Sequence, residues 1–156
     1  MVYNAIDISK YVIEQSKQYD ASITNLKLQK ILYYIQGYAL KIGETAFDDD
    51  IVNWAYGPVV QEVYYRYCSY VSNPINENFE DDDDYLSFKR NHKMKKIRKI
   101  IDVILEKTKN MHPFELVRMT HNETPWKSSK RDEVIDKEII RNYFDEYDPL
   151  EIGNEI

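Results

Sequence analysis

The chain has 156 residues, the length of one domain, with 43% hydrophobic and 31% charged residues, a balance that excludes a disordered tract. Its 21 basic and 27 acidic side chains leave a net charge of −6, which argues against strong nucleic-acid binding, because phosphate neutralisation supplies most of that affinity. No apolar run approaches the roughly 18 residues of a membrane span, the N-terminus lacks the pattern of a signal peptide, and the single cysteine, Cys68, cannot form an internal disulfide, so a cytoplasmic, reducing setting is expected.

The first predicted helix runs from Ala5 to about Lys17, with Asn4 as its cap and Asp7 in its first turn. The second is the clearest. Thr24 is its predicted N-cap, Leu28, Ile31, Leu32, Ile35, Ala39 and Ile42 recur with helical period, and Gly43 ends it. Apolar or aromatic groups on its other face (Leu26, Tyr33, Tyr34, Tyr38) mark it as central. Val52, Trp54 and Tyr56 alternate with Asn53 and Ala55, which predicts a short strand or hairpin near 51–56. Gly57-Pro58 punctuates it, and Pro58 is read as the first residue of a third helix reaching about Val71. Residues 72–90, with six acidic groups among Glu77 and Glu80 to Asp84, read as a mobile loop.

An amphipathic basic helix is predicted next, starting with Lys89, Arg90, Lys93, Lys95, Lys96, Arg98 and Lys99, and the acidic run is expected to fold back on it. Met111-His112-Pro113 opens a short fifth helix to Thr120, and an irregular stretch from His121 to Glu133 follows. The last helix begins near Asp136, an N-cap flanked by the staple pair Ile135 and Ile140, and Pro149 stops it. Residues 149–156 are read as a flexible tail. The sum is one mainly α domain over residues 1–148, with about six helices and no internal repeat.

The chain carries no GxxxxGK[ST], GxGxxG, HExxH, GxSxG or CxxC motif. His92, His112 and His121 lack the spacing of a metal site, and Asp81 to Asp84 lack the alternation and the Gly of a calcium loop, so neither metal nor cofactor is expected. His121-Asn122-Glu123 is the most enzyme-like cluster, yet no nucleophile or second carboxylate has motif spacing to it, and a structural role is favoured. No catalytic residue is assigned. The 14 tyrosines suit half-buried and interface positions, although an AT-rich genome would also enrich them.

Three stretches carry a resemblance. They are Ile23-Thr24-Asn25-Leu26-Lys27-Leu28-Gln29-Lys30-Ile31-Leu32-Tyr33-Tyr34, then Trp54-Ala55-Tyr56-Gly57-Pro58-Val59-Val60, then His121-Asn122-Glu123-Thr124-Pro125-Trp126. In this order they resemble the Panacea domain family, typified by SocA-like antitoxins and phage-associated GepA-like proteins. The similarity runs from about Ile6 to Tyr147. It implies a helical, non-enzymatic antitoxin that neutralises a cognate protein toxin by direct contact, the toxin being encoded by an adjacent gene. A SocA-like branch would instead deliver the toxin to a ClpXP-type protease. The alternatives are a phage or mobile-element regulator touching nucleic acid through the basic helix 89–99, and a counter-defence binding protein; a small hydrolase using His121 and Glu123 is a further option.

On this reading Leu28, Gln29, Lys30, Trp54, Tyr56, Gly57, Pro58, Val59, His121, Pro125 and Trp126 are scaffold. Trp54 and Tyr56 would pack the extended segment on the central helix, Trp126 would close the core, and His121 would fix its loop. The candidate partner-binding residues are then the tyrosines Tyr33, Tyr34, Tyr38, Tyr64, Tyr65, Tyr67 and Tyr70, with the acidic loop beside them. An acidic surface would suit a toxin whose active site binds nucleotides or RNA.

Overall fold

In the computed structural model, residues 3–19 and 21–156 are described. Helix α1, Ala5–Ser16, starts where the Asn4 side chain accepts the Asp7 N–H at 3.0 Å. Helix α2, Asn25–Lys41, starts where Thr24 accepts the Lys27 N–H at 3.3 Å. Both N-caps therefore do what short polar side chains do best at a helix start, taking one of the orphan donors. Past α2, Gly43 sits at φ 80°, a conformation glycine adopts without strain.

Strands β1, Val52–Trp54, and β2, Gly57–Val59, form an antiparallel hairpin with Val52 opposite Val59 and Trp54 opposite Gly57. Helix α3, Gln61–Tyr67, continues as a 3-10 turn through Tyr70. Helices α4, Asp83–Arg90, α5, Lys95–Thr108, α6, Pro113–His121, α7, Thr124–Lys127, and α8, Lys137–Glu146, complete the fold. Among the described residues no helix is long and apolar enough to cross a membrane.

Helix α2 is the axis. It is buried on nearly every side, and α8, α5, α6, α3 and β2 all pack on it. Gly37 makes the closest approach possible. A Cβ at that position would stand 2.3 Å from the Phe144 ring of α8, so the ring occupies the space a side chain would fill.

Several expectations are corrected. There are eight α-helices among the described residues instead of about six. Pro58 lies in β2, and α3 begins three residues later at Gln61. A two-stranded hairpin has only edge strands, where the missing proline N–H is tolerated.

The acidic stretch is not a loop throughout. Asp82 accepts the Tyr85 N–H and caps α4, while Ile75, Phe79, Tyr85 and Phe88 are buried. Among the described residues none of its carboxylates forms an ion pair with the basic segment. Asp82 pairs with Lys10 of α1, and Lys89 pairs with Glu14 of α1.

The basic segment is divided. Lys89 and Arg90 end α4, Asn91 caps a 3-10 turn, and Arg98 donates to the Phe88 and Asn91 carbonyls at 2.8 and 2.7 Å. The C-terminal stretch is packed down. Asp148 accepts the Tyr38 hydroxyl and the N–H groups of Ile152 and Gly153, and Leu150 and Ile152 are buried.

Candidate functional site

The hairpin is gripped from two sides by side chains that bond its backbone. From α2, Gln29 accepts the Val60 N–H at 2.9 Å and Lys30 donates to the Pro58 carbonyl at 2.7 Å. From the other side, the Trp126 indole N–H donates to the Trp54 carbonyl at 2.9 Å, and His121 Nε2 lies 3.0 Å from the Ala55 carbonyl. A carbonyl only accepts, so Nε2 carries the proton. His121 also stacks on Trp126, with ring centres 4.1 Å apart. Asn53 ties β1 to the same wall by donating to the Trp126 and Ser129 carbonyls. Gly57, at φ 113°, closes the turn where Lys30 and Thr120 press from behind.

Behind this clamp lies a polar layer inside the core. The Glu123 carboxylate accepts the hydroxyls of Tyr33 at 2.9 Å and Tyr34 at 2.7 Å. Burial outweighs those two donors and pushes the carboxyl up to about 7. The same burial, with Glu123 beside them, holds both tyrosine hydroxyls well above their ordinary value. Lys30 is fully buried with the Pro58 carbonyl as its acceptor, and burial pulls its amine down to about 7. Among the described residues no group of three or more His, Cys, Asp or Glu is placed to hold a metal ion.

In front of the clamp is a cleft of about 890 Å³, lined by the start of α2, the hairpin, α3 and the start of α6. Its walls are aromatic. Trp54 packs edge-on against Tyr64 at 5.0 Å, and Tyr56 against Phe114 at 6.1 Å. Tyr56 is 62% exposed at the hairpin tip, and Phe114 and Val71 on the rim are also exposed. Val71, at φ 56°, and Asp132, at φ 68°, line the cleft in left-handed backbone. For a β-branched residue that conformation costs on the order of 1–3 kcal/mol.

The structure divides the proposed partner tyrosines. Tyr33, Tyr34 and Tyr38 are buried because their hydroxyls bind Glu123 and Asp148 inside the fold. Tyr67 is buried too. These four offer no surface. Tyr65 is exposed, Tyr64 is half-buried against Trp54, and Tyr70 is half-buried with its hydroxyl on Glu77.

The scaffold set divides as well. Leu28, Gln29, Lys30, Gly57, Pro58, Val59 and Pro125 are buried, and His121 and Trp126 are half-buried. Tyr56 is not packed on the central helix, and Trp54, Val59 and Gln29 line the cleft. Phe114 escaped the sequence reading. Its neighbours His112-Pro113 signalled a helix start, which is where exposed groups at a cleft mouth sit.

A mainly helical domain presenting a clamped aromatic hairpin is the class that this geometry defines. The chain belongs to the antitoxin SocA-like, Panacea domain family, whose sequence profile matches residues 28–127. The matched span contains both clamps, the hairpin and most of the cleft lining, with Thr24, Asn25, Leu26, Arg131 and Asp132 outside it, and it is shorter at each end than the similarity read from the motifs. No curated protein and no solved structure matches the chain.

Proposed function

We propose that the chain is a non-enzymatic, cytoplasmic antitoxin that binds a protein toxin by direct contact, using the aromatic cleft and the hairpin tip. The family supports the antitoxin role. One observation supports the face: Tyr56 is 62% exposed on a turn whose flanking backbone is bonded by Gln29, Lys30, His121 and Trp126. A pre-positioned tyrosine loses little freedom on binding, and such aromatics at a patch centre carry most interface energy.

The test is co-expression with the product of the adjacent gene. Growth arrest by the neighbour alone, rescue by this chain and a joint size-exclusion peak are the expected results. No toxicity and no complex overturns the proposal. Sequestration leaves the toxin's half-life unchanged or longer, whereas delivery to a ClpXP-type protease shortens it.

A further inference from the structure

We infer that Glu123 is the positioning residue of the hairpin: through its bonds to Tyr33 and Tyr34 it fixes, against the central helix, the segment from which His121 and Trp126 grip the turn that bears Tyr56. The functional weight of this rests on the hairpin tip being the partner face.

Glu123 lies between the two gripping side chains, after His121 and before Trp126. It occupies the N-cap of α7, where a polar side chain ordinarily takes a free N–H of its own helix. Glu123 makes no such bond. Its carboxylate turns inward to 3% exposure and accepts from Tyr33 and Tyr34 instead. Among the described residues no Lys, Arg or His forms an ion pair with it. A local contact is given up and a carboxylate is buried without a cation, and both cost stability. What the arrangement supplies is position.

The two carboxylate oxygens take donors from adjacent positions on α2, and both tyrosine rings pack edge-on against Phe144 of α8, at 5.7 and 6.1 Å. The donors are therefore fixed points. The backbone carries that position outward. The Glu123 N–H donates to the Thr120 carbonyl and the Glu123 carbonyl accepts the Lys127 N–H, each at 3.1 Å, so the end of α6 and all of α7 are tied to the carboxylate. The margin is small, because a Cβ on Gly57 would stand 2.8 Å from Thr120 Oγ1. The opposite grip starts one turn earlier on the same helix, at Gln29 and Lys30. Helix α2 thereby sets the span between both grips. An apolar side chain at position 123 would fill the same space and specify no register.

The test replaces the polar cluster with apolar groups of similar volume, Tyr33→Phe, Tyr34→Phe and Glu123→Met together, in the full chain. None of the three positions then holds an unpaired polar group, so the melting temperature should equal or exceed that of the wild type. The chain has two tryptophans, Trp54 and Trp126, so both indole N–H signals in an NMR spectrum report on the hairpin. Hydrogen exchange of the Trp126 indole N–H, which is bonded to the Trp54 carbonyl, should be at least about tenfold faster in the variant, while amides of α5 exchange as in the wild type. A stable variant whose Trp126 N–H stays as protected as in the wild type overturns the inference, because packing alone then holds the segment. Tyr34→Phe is the second variant, since it deletes one hydroxyl and leaves the ring packing. It should speed the Trp126 exchange several-fold and leave α5 unchanged. Faster exchange spread evenly over α5 and the hairpin would show a role in stability alone and overturn the inference too. Neither readout uses a partner, so failure here leaves the co-elution test of the antitoxin reading intact, and failure there leaves the grip to be judged by its own exchange rates.

Discussion

Glu123 gives the sharpest quantitative prediction. Its carboxyl is buried at 3% exposure between two tyrosine hydroxyls and is pushed up to about 7 from an ordinary 4.5. The folded protein therefore binds a proton that the unfolded chain releases between those two values. A raised folded value contributes stability that is fully present below pH 4.5 and is lost as pH rises through 7. The loss amounts to about 3 kcal/mol. Lys30 acts in a different window. Its amine is pulled from 10.5 to about 7, so its contribution is present above 10.5 and is lost as pH falls to 7. Together the two groups place a stability minimum near neutrality.

Glu123→Gln isolates the first slope. It keeps the volume and an acceptor for one tyrosine, and it cannot ionise. Urea denaturation at several pH values from 4.5 to 8 should show the wild-type chain losing about 3 kcal/mol relative to the variant. Parallel curves for the two proteins across that range would refute the reasoning, and would mean that the tyrosine donors hold Glu123 ionised at little cost.

Gly37→Ala should destabilise although alanine is the better helix former. Overpacking against Phe144 costs about 1–3 kcal/mol and helix propensity returns about 1; Phe144→Leu in the same chain should relieve part of the loss in a denaturant titration. Removing residues 150–156 strips two buried side chains, Leu150 and Ile152, and should lower stability by about 3 kcal/mol or more, read as a clear drop in melting temperature. An unchanged melt would show that the tail contributes nothing to the core. Tyr56→Ala should leave the melting temperature near that of the wild type, since the side chain is mostly exposed, while weakening the toxin complex at least about tenfold.

Local signals carried much of the fold. Asn4, Thr24 and Asp136 were legible as caps because capping is a contact between residues two or three apart. The central helix was legible because its apolar residues recur at helical spacing. Elements whose causes are distant in sequence were not.

Tyr38 looks like a surface aromatic until Asp148 arrives from the far end of the chain to take its hydroxyl. Tyr33 and Tyr34 look the same until Glu123 does so. The acid run reads as solvated because nothing nearby shows that α1 supplies Lys10 to Asp82. The family motifs were visible as residues, but the grip of two separate motifs on one hairpin exists only in three dimensions. That grip turns Tyr56 outward, where alternation had placed it inward with Trp54.

The central claim is that a protein partner occupies the cleft, and Cys68 measures it directly. It is the single cysteine of the chain, it is exposed, and it lines the cleft. The rate at which a thiol reagent modifies Cys68 should be compared for the free chain and for the complex purified with the adjacent gene's product. Protection of at least about tenfold in the complex, lost again in Tyr56→Ala, is the predicted result. A stable joint peak in which Cys68 reacts as fast as in the free chain would place the partner on another face and contradict the account.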